Sequence, residues 1–134
     1  MSNVKGYRGY ITSRPFCGER APQHVQQLVI RDYCSRRNMR FLLSATEYAM
    51  PGCFMILNAV AQDLPKLDGI VLYSIFMLPQ KKSERLELYR KAFDCGASLH
   101  GALEEFPILT EDDARRVEDL WLVRNFMDNQ SKGA

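Results

Sequence analysis

The run Leu67 to Ser74 restricts the fold more than any other stretch, because apart from Asp68 it is mainly apolar and contains Ile70 and Val71. A strand that is apolar on both faces must be covered on both, which marks the centre of a parallel sheet. The segments around it repeat a strand-then-helix order. Tyr7 to Thr12 is a run of β-forming residues ended by Ser13, Arg14 and Pro15, and Ser13 to Pro22 reads as a long loop. From Pro22 to about Arg37, Val25, Leu28, Val29 and Tyr33 recur at helical spacing, with Pro22 suited to a first helical turn. Phe41, Leu42, Leu43 and Ala45 form a second strand closed by Thr46 and Glu47, and Phe54, Leu57, Val60, Ala61 and Leu64 return to helical spacing.

Beyond the central run, Gln80 to Arg85 is polar and reads as a mobile connection, followed by a helix through Leu86, Tyr89 and Phe93 that ends at Gly96. Ala97 to Leu103 supplies a fourth strand. Thr110 and Asp113 have capping-box spacing, and Ala114, Val117, Leu120, Trp121 and Phe126 give the last helix an apolar stripe before a tail expected to fray from Asn129. Right-handed crossovers then predict a three-layer α/β sandwich of about four mainly parallel strands in one domain.

Composition narrows the function classes. With 134 residues, 46% apolar residues and a net charge of +2, the chain reads as an ordinary globular domain rather than a disordered or strongly basic one, so nucleic acid is not an expected partner. Its apolar stretches fall short of the roughly 20 residues of a bilayer span, and Met1 to Tyr10 lacks a signal peptide's apolar centre, so a cytoplasmic location without membrane insertion is expected. Cys17, Cys34, Cys53 and Cys95 have no zinc-ligand cadence, and reduced thiols, no metal and no cofactor are expected.

Ligands in such sheets bind beyond the carboxyl ends of the strands, near the switch in strand order. Ser13 and Arg14, followed by a helix N-terminus, have the chemistry of an anion site, the plainer alternative being a turn. Gln23 lies beside them in sequence, and His24 in the first helical turn is a candidate acid or base, or a solvated surface residue. Glu47 and Tyr48 close the second strand, Ser74 the third, and Glu104 and Glu105 follow the fourth, so carboxylates from two loops are candidates for proton transfer or for helix caps. His100, inside the fourth strand, reads as structural. Arg36, Arg37 and Arg40 oppose the dipole of the first helix, and Met50, Met55, Met77, Phe54 and Phe76 read as core or dimer packing.

Gly9-Tyr10-Ile11-Thr12-Ser13, Gln23 to Gln27, Ile30 to Cys34 and Leu67 to Pro79 together resemble the catalytic domain of serine recombinases of the resolvase and invertase kind. That resemblance implies a parallel-centred α/β fold, with Ser13 in the place of the serine that attacks a DNA phosphate. The family's arginine two residues before the serine is Ile11 here, its aspartate-arginine and second arginine after the third strand are matched by Phe76, Met77 and Gln80, and its long helix and separate DNA-reading domain are not matched, so the resemblance implies fold kinship without recombinase activity. Gly6 to Ile11, Ser13 to Phe16, Pro22 to Gln26, Leu43 to Met50, Leu67 to Val71 and Val117-Glu118 resemble the sporadic carbohydrate cluster family of small bacterial proteins, which implies surface-polysaccharide biosynthesis as a context.

The expected function is therefore a small enzyme, or enzyme-like protein, acting on a sugar, sugar-phosphate or nucleotide-sugar intermediate. Ser13, His24 and Glu47 would be its catalytic residues, and Arg14, Gln23, Tyr48, Ser74 and Glu104 would bind the ligand. The alternatives are a non-catalytic assembly module for a partner enzyme, or a degenerate recombinase-like DNA-binding domain. A homodimer is expected, since small α/β folds commonly pair.

Overall fold

The computed structural model describes residues 5–12, 21–47 and 54–132, with side chains described as far as 127. Five strands, β1 (Tyr7–Thr12), β2 (Phe41–Glu47), β3 (Gly69–Leu72), β4 (Ser98–Gly101) and β5 (Phe106–Ile108), form one sheet in the order β2-β1-β3-β4-β5. All pairs are parallel except β4 with β5. The helices are α1 (Gln23–Arg36), α2 (Met55–Gln62), α3 (Lys82–Asp94) and α4 (Glu111–Lys132), with short 3-10 turns at Leu64–Lys66 and Ile75–Met77.

Register shows that the fold has three layers. Tyr10 pairs with Leu72, and Leu72 with Gly101, so Tyr10 and position 101 share a face while His100 lies on the other. Tyr10 donates a hydrogen bond to Glu47, whose carboxylate receives the first N–H groups of α2. His100 meets Tyr33 of α1. The sheet is therefore covered by α1 on one side and α2 on the other. All four residues of β3 are buried, as expected for the central strand.

The fifth strand was not expected. Three residues with Pro107 in the middle carry little strand signal, but an edge position tolerates the missing N–H, and a turn over 102–105 with Glu105 at φ 53° folds the chain back onto β4. The expected strand Ala97 to Leu103 is shortened accordingly. The expected mobile connection Gln80 to Arg85 is also corrected, because α3 begins at Lys82 and Arg85 is 4% exposed. Gly96 sits at φ +69° just past that helix, where glycine avoids the steric cost of a side chain.

Helix phases differ from the sequence reading. In α1 the buried positions are Gln26, Ile30, Tyr33 and Cys34, while Val25 and Leu28 are exposed. The helix turns Gln26 inward because its amide links the two ends of the β1–α1 connection. In α4, Ala114, Val117 and Trp121 are buried but Leu120 and Phe126 face outward. Met55, expected in packing, is exposed, whereas Met77 is buried. The capping box forms as expected: Asp113 accepts from the Thr110 N–H, and Thr110 Oγ1 from the Asp113 N–H.

The last helix runs 22 residues, about 33 Å at 1.5 Å per residue, and continues past Asn129 to Lys132. The sequence reading recognised no long helix here. Among the described residues no helix is long and apolar enough to cross a membrane.

Candidate functional site

The strand order places a change of direction between β1 and β3, with α1 leaving β1 toward β2 and the chain returning to β3 on the other side. Beyond the carboxyl ends of these two strands lies the crevice where doubly wound sheets hold ligands. Gln26, fully buried, closes one flank. Its Nε2 donates to the carbonyls of Thr12 at 2.8 Å and Ala21 at 2.7 Å, while its Oε1 accepts from the Thr12 N–H at 3.0 Å. One side chain thus joins the end of β1 to the start of α1. Ser13, Arg14 and Tyr48 lie outside the described residues, so the structure positions only the chain flanking them. Gln23 and His24 stand exposed on the first turn of α1.

Glu47 is fully buried. Its Oε1 accepts from the Tyr10 hydroxyl at 2.8 Å and the Leu57 N–H at 3.1 Å, and its Oε2 from the Ile56 N–H at 3.0 Å. A carboxylate held this way compensates the positive end of α2 and supplies acceptors that the helix start lacks, since Phe54 at the cap contributes no side-chain bond. The expected proton-transfer role would need solvent or a ligand to reach these oxygens, and the fold covers them.

Ser74 and Glu104 do come together. The Ser74 hydroxyl donates to Glu104 Oε2 at 2.6 Å and accepts from the Phe76 N–H at 3.1 Å, while Glu104 Oε1 accepts from the Ile75 N–H at 2.9 Å. The pair caps the 3-10 turn after β3 and ties it to the β4–β5 turn. Gly101 permits this approach, since a Cβ there would lie 2.4 Å from an Ile75 methyl and 2.8 Å from Glu104 Oε1. The contact between these two ligand-binding candidates is therefore structural, and Glu47 belongs to a separate helix start.

Met77 and Gln80 stand where the recombinase resemblance calls for arginines, with Phe76 in the place of its aspartate, and Gln80 is exposed. Ile75 and Met77 are buried, and Phe76 packs against Trp121 with ring centroids 5.5 Å apart. Ile11, in the place of another family arginine, is also buried. These side chains cannot neutralise the charge that builds up on a phosphate in transfer.

A polar network escaped the sequence reading because its members are 33 residues apart. Arg85 makes a two-pronged pair with Glu118, Nε to Oε2 and Nη2 to Oε1, both at 2.8 Å, and its Nη1 donates to the carbonyls of Pro79 and Gln80. Tyr89 donates to Glu118 at 2.7 Å, and Trp121 covers the guanidinium at 4.2 Å. Burial pushes the Glu118 carboxyl upward, but hydrogen bonds from Arg85 and Tyr89, with the charge of Arg85, hold it below the usual carboxylate range. This network locks α3 to α4.

His100 is 4% exposed, with Tyr33 Oη 2.7 Å from Nδ1 and Ser98 Oγ 2.7 Å from Nε2. Burial, reinforced by the nearby Arg37 charge, lowers its pKa to about 4 and keeps it neutral. Among the described residues no group of three or more His, Cys, Asp or Glu side chains is placed to hold a metal ion. Cys34 and Cys95 are free thiols.

This architecture and strand order define a resolvase-like α/β fold. The chain is similar to the N-terminal catalytic domain of TP901-1 integrase, with a TM-score of 0.57 at 11% identity over 92% of this chain and 98% of that one. It is also similar to a resolvase family site-specific recombinase from Streptococcus pneumoniae, with a TM-score of 0.62 at 10% identity over 94% of this chain and 91% of that one. At such identities the likeness concerns the fold. No family model and no curated protein matches the chain, so the sequence resemblance to the sporadic carbohydrate cluster family gains no support from either comparison.

Proposed function

We propose that this chain is a resolvase-fold interaction module that works by assembly and without recombinase chemistry, pairing with a second copy of itself through α4. The observation that carries this reading is the outer face of α4. At 100° per residue, Leu122, Val123, Phe126 and Met127 share a face opposite the buried Ala114, Val117 and Trp121, and they are 55–69% exposed. With Leu120 they present on the order of 500 Å² of apolar surface, the size at which an exposed patch marks an interaction site. An antiparallel pair about a two-fold axis between residues 124 and 125 sets Leu122 against Met127 and Val123 against Phe126, which makes the stripe self-complementary. The polar flanks of α4 would contribute toward the ~800 Å² per partner of a standard interface. The turnover of a sugar intermediate expected from the sequence has no support in the comparisons, and Glu47, Ser74 and Glu104 are engaged within the fold.

Sedimentation equilibrium tests the reading. A dimer that becomes monomeric in Phe126→Glu, with the far-ultraviolet spectrum retained, supports it. A monomeric wild type at ~100 μM, a concentration well above the Kd of a specific pair, would refute it.

A second reading, nucleic-acid binding, is favoured by one feature: residues 31–40 carry Arg31, Arg36, Arg37 and Arg40 against a single acidic residue, Asp32, and all four arginines are exposed, Arg36 being paired with Asp32 and with Glu105. Arg31 and Arg37 are held over the rings of Phe41 and Tyr33. Binding to a DNA duplex should then weaken steeply with salt, and each of Arg37→Ala and Arg40→Ala should flatten the log–log slope by about one. Association that is absent or insensitive to salt removes this reading.

A further inference from the structure

At the amino edge of the sheet, away from the strand-end crevice, lies a cavity of about 360 Å³ lined by Tyr7, Asp68, Phe93 and Ser98, among other residues. Tyr7, Gly69 and Ser98 stand side by side across β1, β3 and β4, so the side chains of Tyr7 and Ser98 share a face with only a glycine between them. Behind Ser98 runs the chain Ser98–His100–Tyr33, with two contacts of 2.7 Å.

Proton counting along this chain favours one direction for each bond. Tyr33 is fully buried, and burial pushes its phenol up to about 12, so it keeps its proton. Its hydroxyl has one side-chain partner, His100 Nδ1. If Nδ1 carried hydrogen, the phenolic proton would be buried without an acceptor, which costs about 1–3 kcal/mol. Tyr33 therefore donates to Nδ1, and the neutral imidazole carries its hydrogen on Nε2 and donates it to Ser98 Oγ. That leaves the Ser98 hydroxyl proton without an acceptor among the described residues, on a residue 92% buried that borders the cavity.

We propose that this cavity binds a neutral polyhydroxylated ring of monosaccharide size, with Ser98 donating to one of its oxygens and the Asp68 carboxylate accepting from one or two of its hydroxyls. The chemistry selects this class. Asp68, with no side-chain partner among the described residues, is the one charged residue in the lining; it opposes an anionic ligand and leaves its oxygens to accept from hydroxyls. Tyr7 and Phe93 add flat apolar walls for the C–H faces of a sugar ring. Main-chain bonds from the Asp68 N–H to the Gly6 carbonyl and from the Ser98 N–H to the Asp68 carbonyl hold both polar groups in place before binding. The volume falls within the 300–1,000 Å³ of small-molecule sites.

Two NMR measurements on the full chain test this. Long-range proton–nitrogen spectra should show His100 protonated on Nε2; an Nδ1-protonated ring overturns the proposal. Saturation transfer to glucose, galactose and N-acetylglucosamine, each in excess, should show contact with at least one sugar. Its affinity should fall about tenfold in Ser98→Ala and in Asp68→Asn, the loss of roughly one hydrogen bond each. No transfer to any of the three, or affinity unchanged in both variants, overturns it. Asp68→Asn guards against a folding defect in Ser98→Ala, because it alters neither volume nor the relay.

Discussion

Replacing Glu118 by Ala should be among the most damaging single changes in the molecule. Arg85, with its side chain 5% exposed, would lose both prongs of its pair and Tyr89 its acceptor, while the guanidinium kept only the carbonyls of Pro79 and Gln80. Stranding a buried charge in this way costs about 3–5 kcal/mol, a large part of the ~5–15 kcal/mol that holds a domain folded. At roughly 3–4 °C per kcal/mol for a chain of this size, the midpoint should drop by about 10–20 °C. The effect on the pair should be strongly non-additive. Removing both charges in Arg85→Met with Glu118→Leu leaves no stranded ion, and the double variant should recover most of the loss. Urea unfolding at pH 7 of the wild type, Arg85→Met, Glu118→Leu and the double variant, with Glu118→Ala beside them, followed by tryptophan fluorescence from Trp121 and by circular dichroism, measures the cycle. A cost below about 1 kcal/mol for Glu118→Ala, the value of an exposed pair, would refute the reasoning, as would a double variant no more stable than the sum of the singles.

Three further outcomes follow from the same physics. The His100 pKa, lowered to about 4 from 6.5, means that the unfolded chain binds a proton the folded chain refuses. Stability from this site is full above pH 6.5 and falls by about 3 kcal/mol as pH drops toward 4, and His100→Asn should flatten that part of a urea-midpoint titration. Glu47→Ala removes two hydrogen bonds at the start of α2 and the one from the Tyr10 hydroxyl, and should cost about 2 kcal/mol or more by chemical denaturation, with Glu47→Gln, which keeps one acceptor oxygen, milder. Gly69→Ala would place a Cβ 2.1 Å from the Ser98 carbonyl oxygen and should cost at least about 1–3 kcal/mol by prying β4 from β3, visible as a lowered thermal midpoint.

The sequence by itself determined the class of fold and most of its elements. A run as apolar as Ile70 to Leu72 has nowhere to go but the middle of a sheet, and Thr110 with Asp113, or Gly96 past α3, are local signals that act through backbone geometry a few residues away. Such preferences need no knowledge of the rest of the chain. Tertiary structure alone decided which polar groups became neighbours. Glu47 and Glu104 have the composition of an acid–base pair, yet each is held at the start of a different turn, Glu47 by two N–H groups and the Tyr10 hydroxyl and Glu104 by one N–H and the Ser74 hydroxyl, because main-chain donors at a buried helix start must be satisfied. Arg85 with Glu118, and Tyr33 with His100, meet across 33 and 67 residues. The phases of α1 and α4 were likewise set from outside, α1 by Gln26 reaching two carbonyls and α4 by a body that covers one face only. Spacing along a helix tells which residues share a face, but only the surface it packs against tells which face is turned inward.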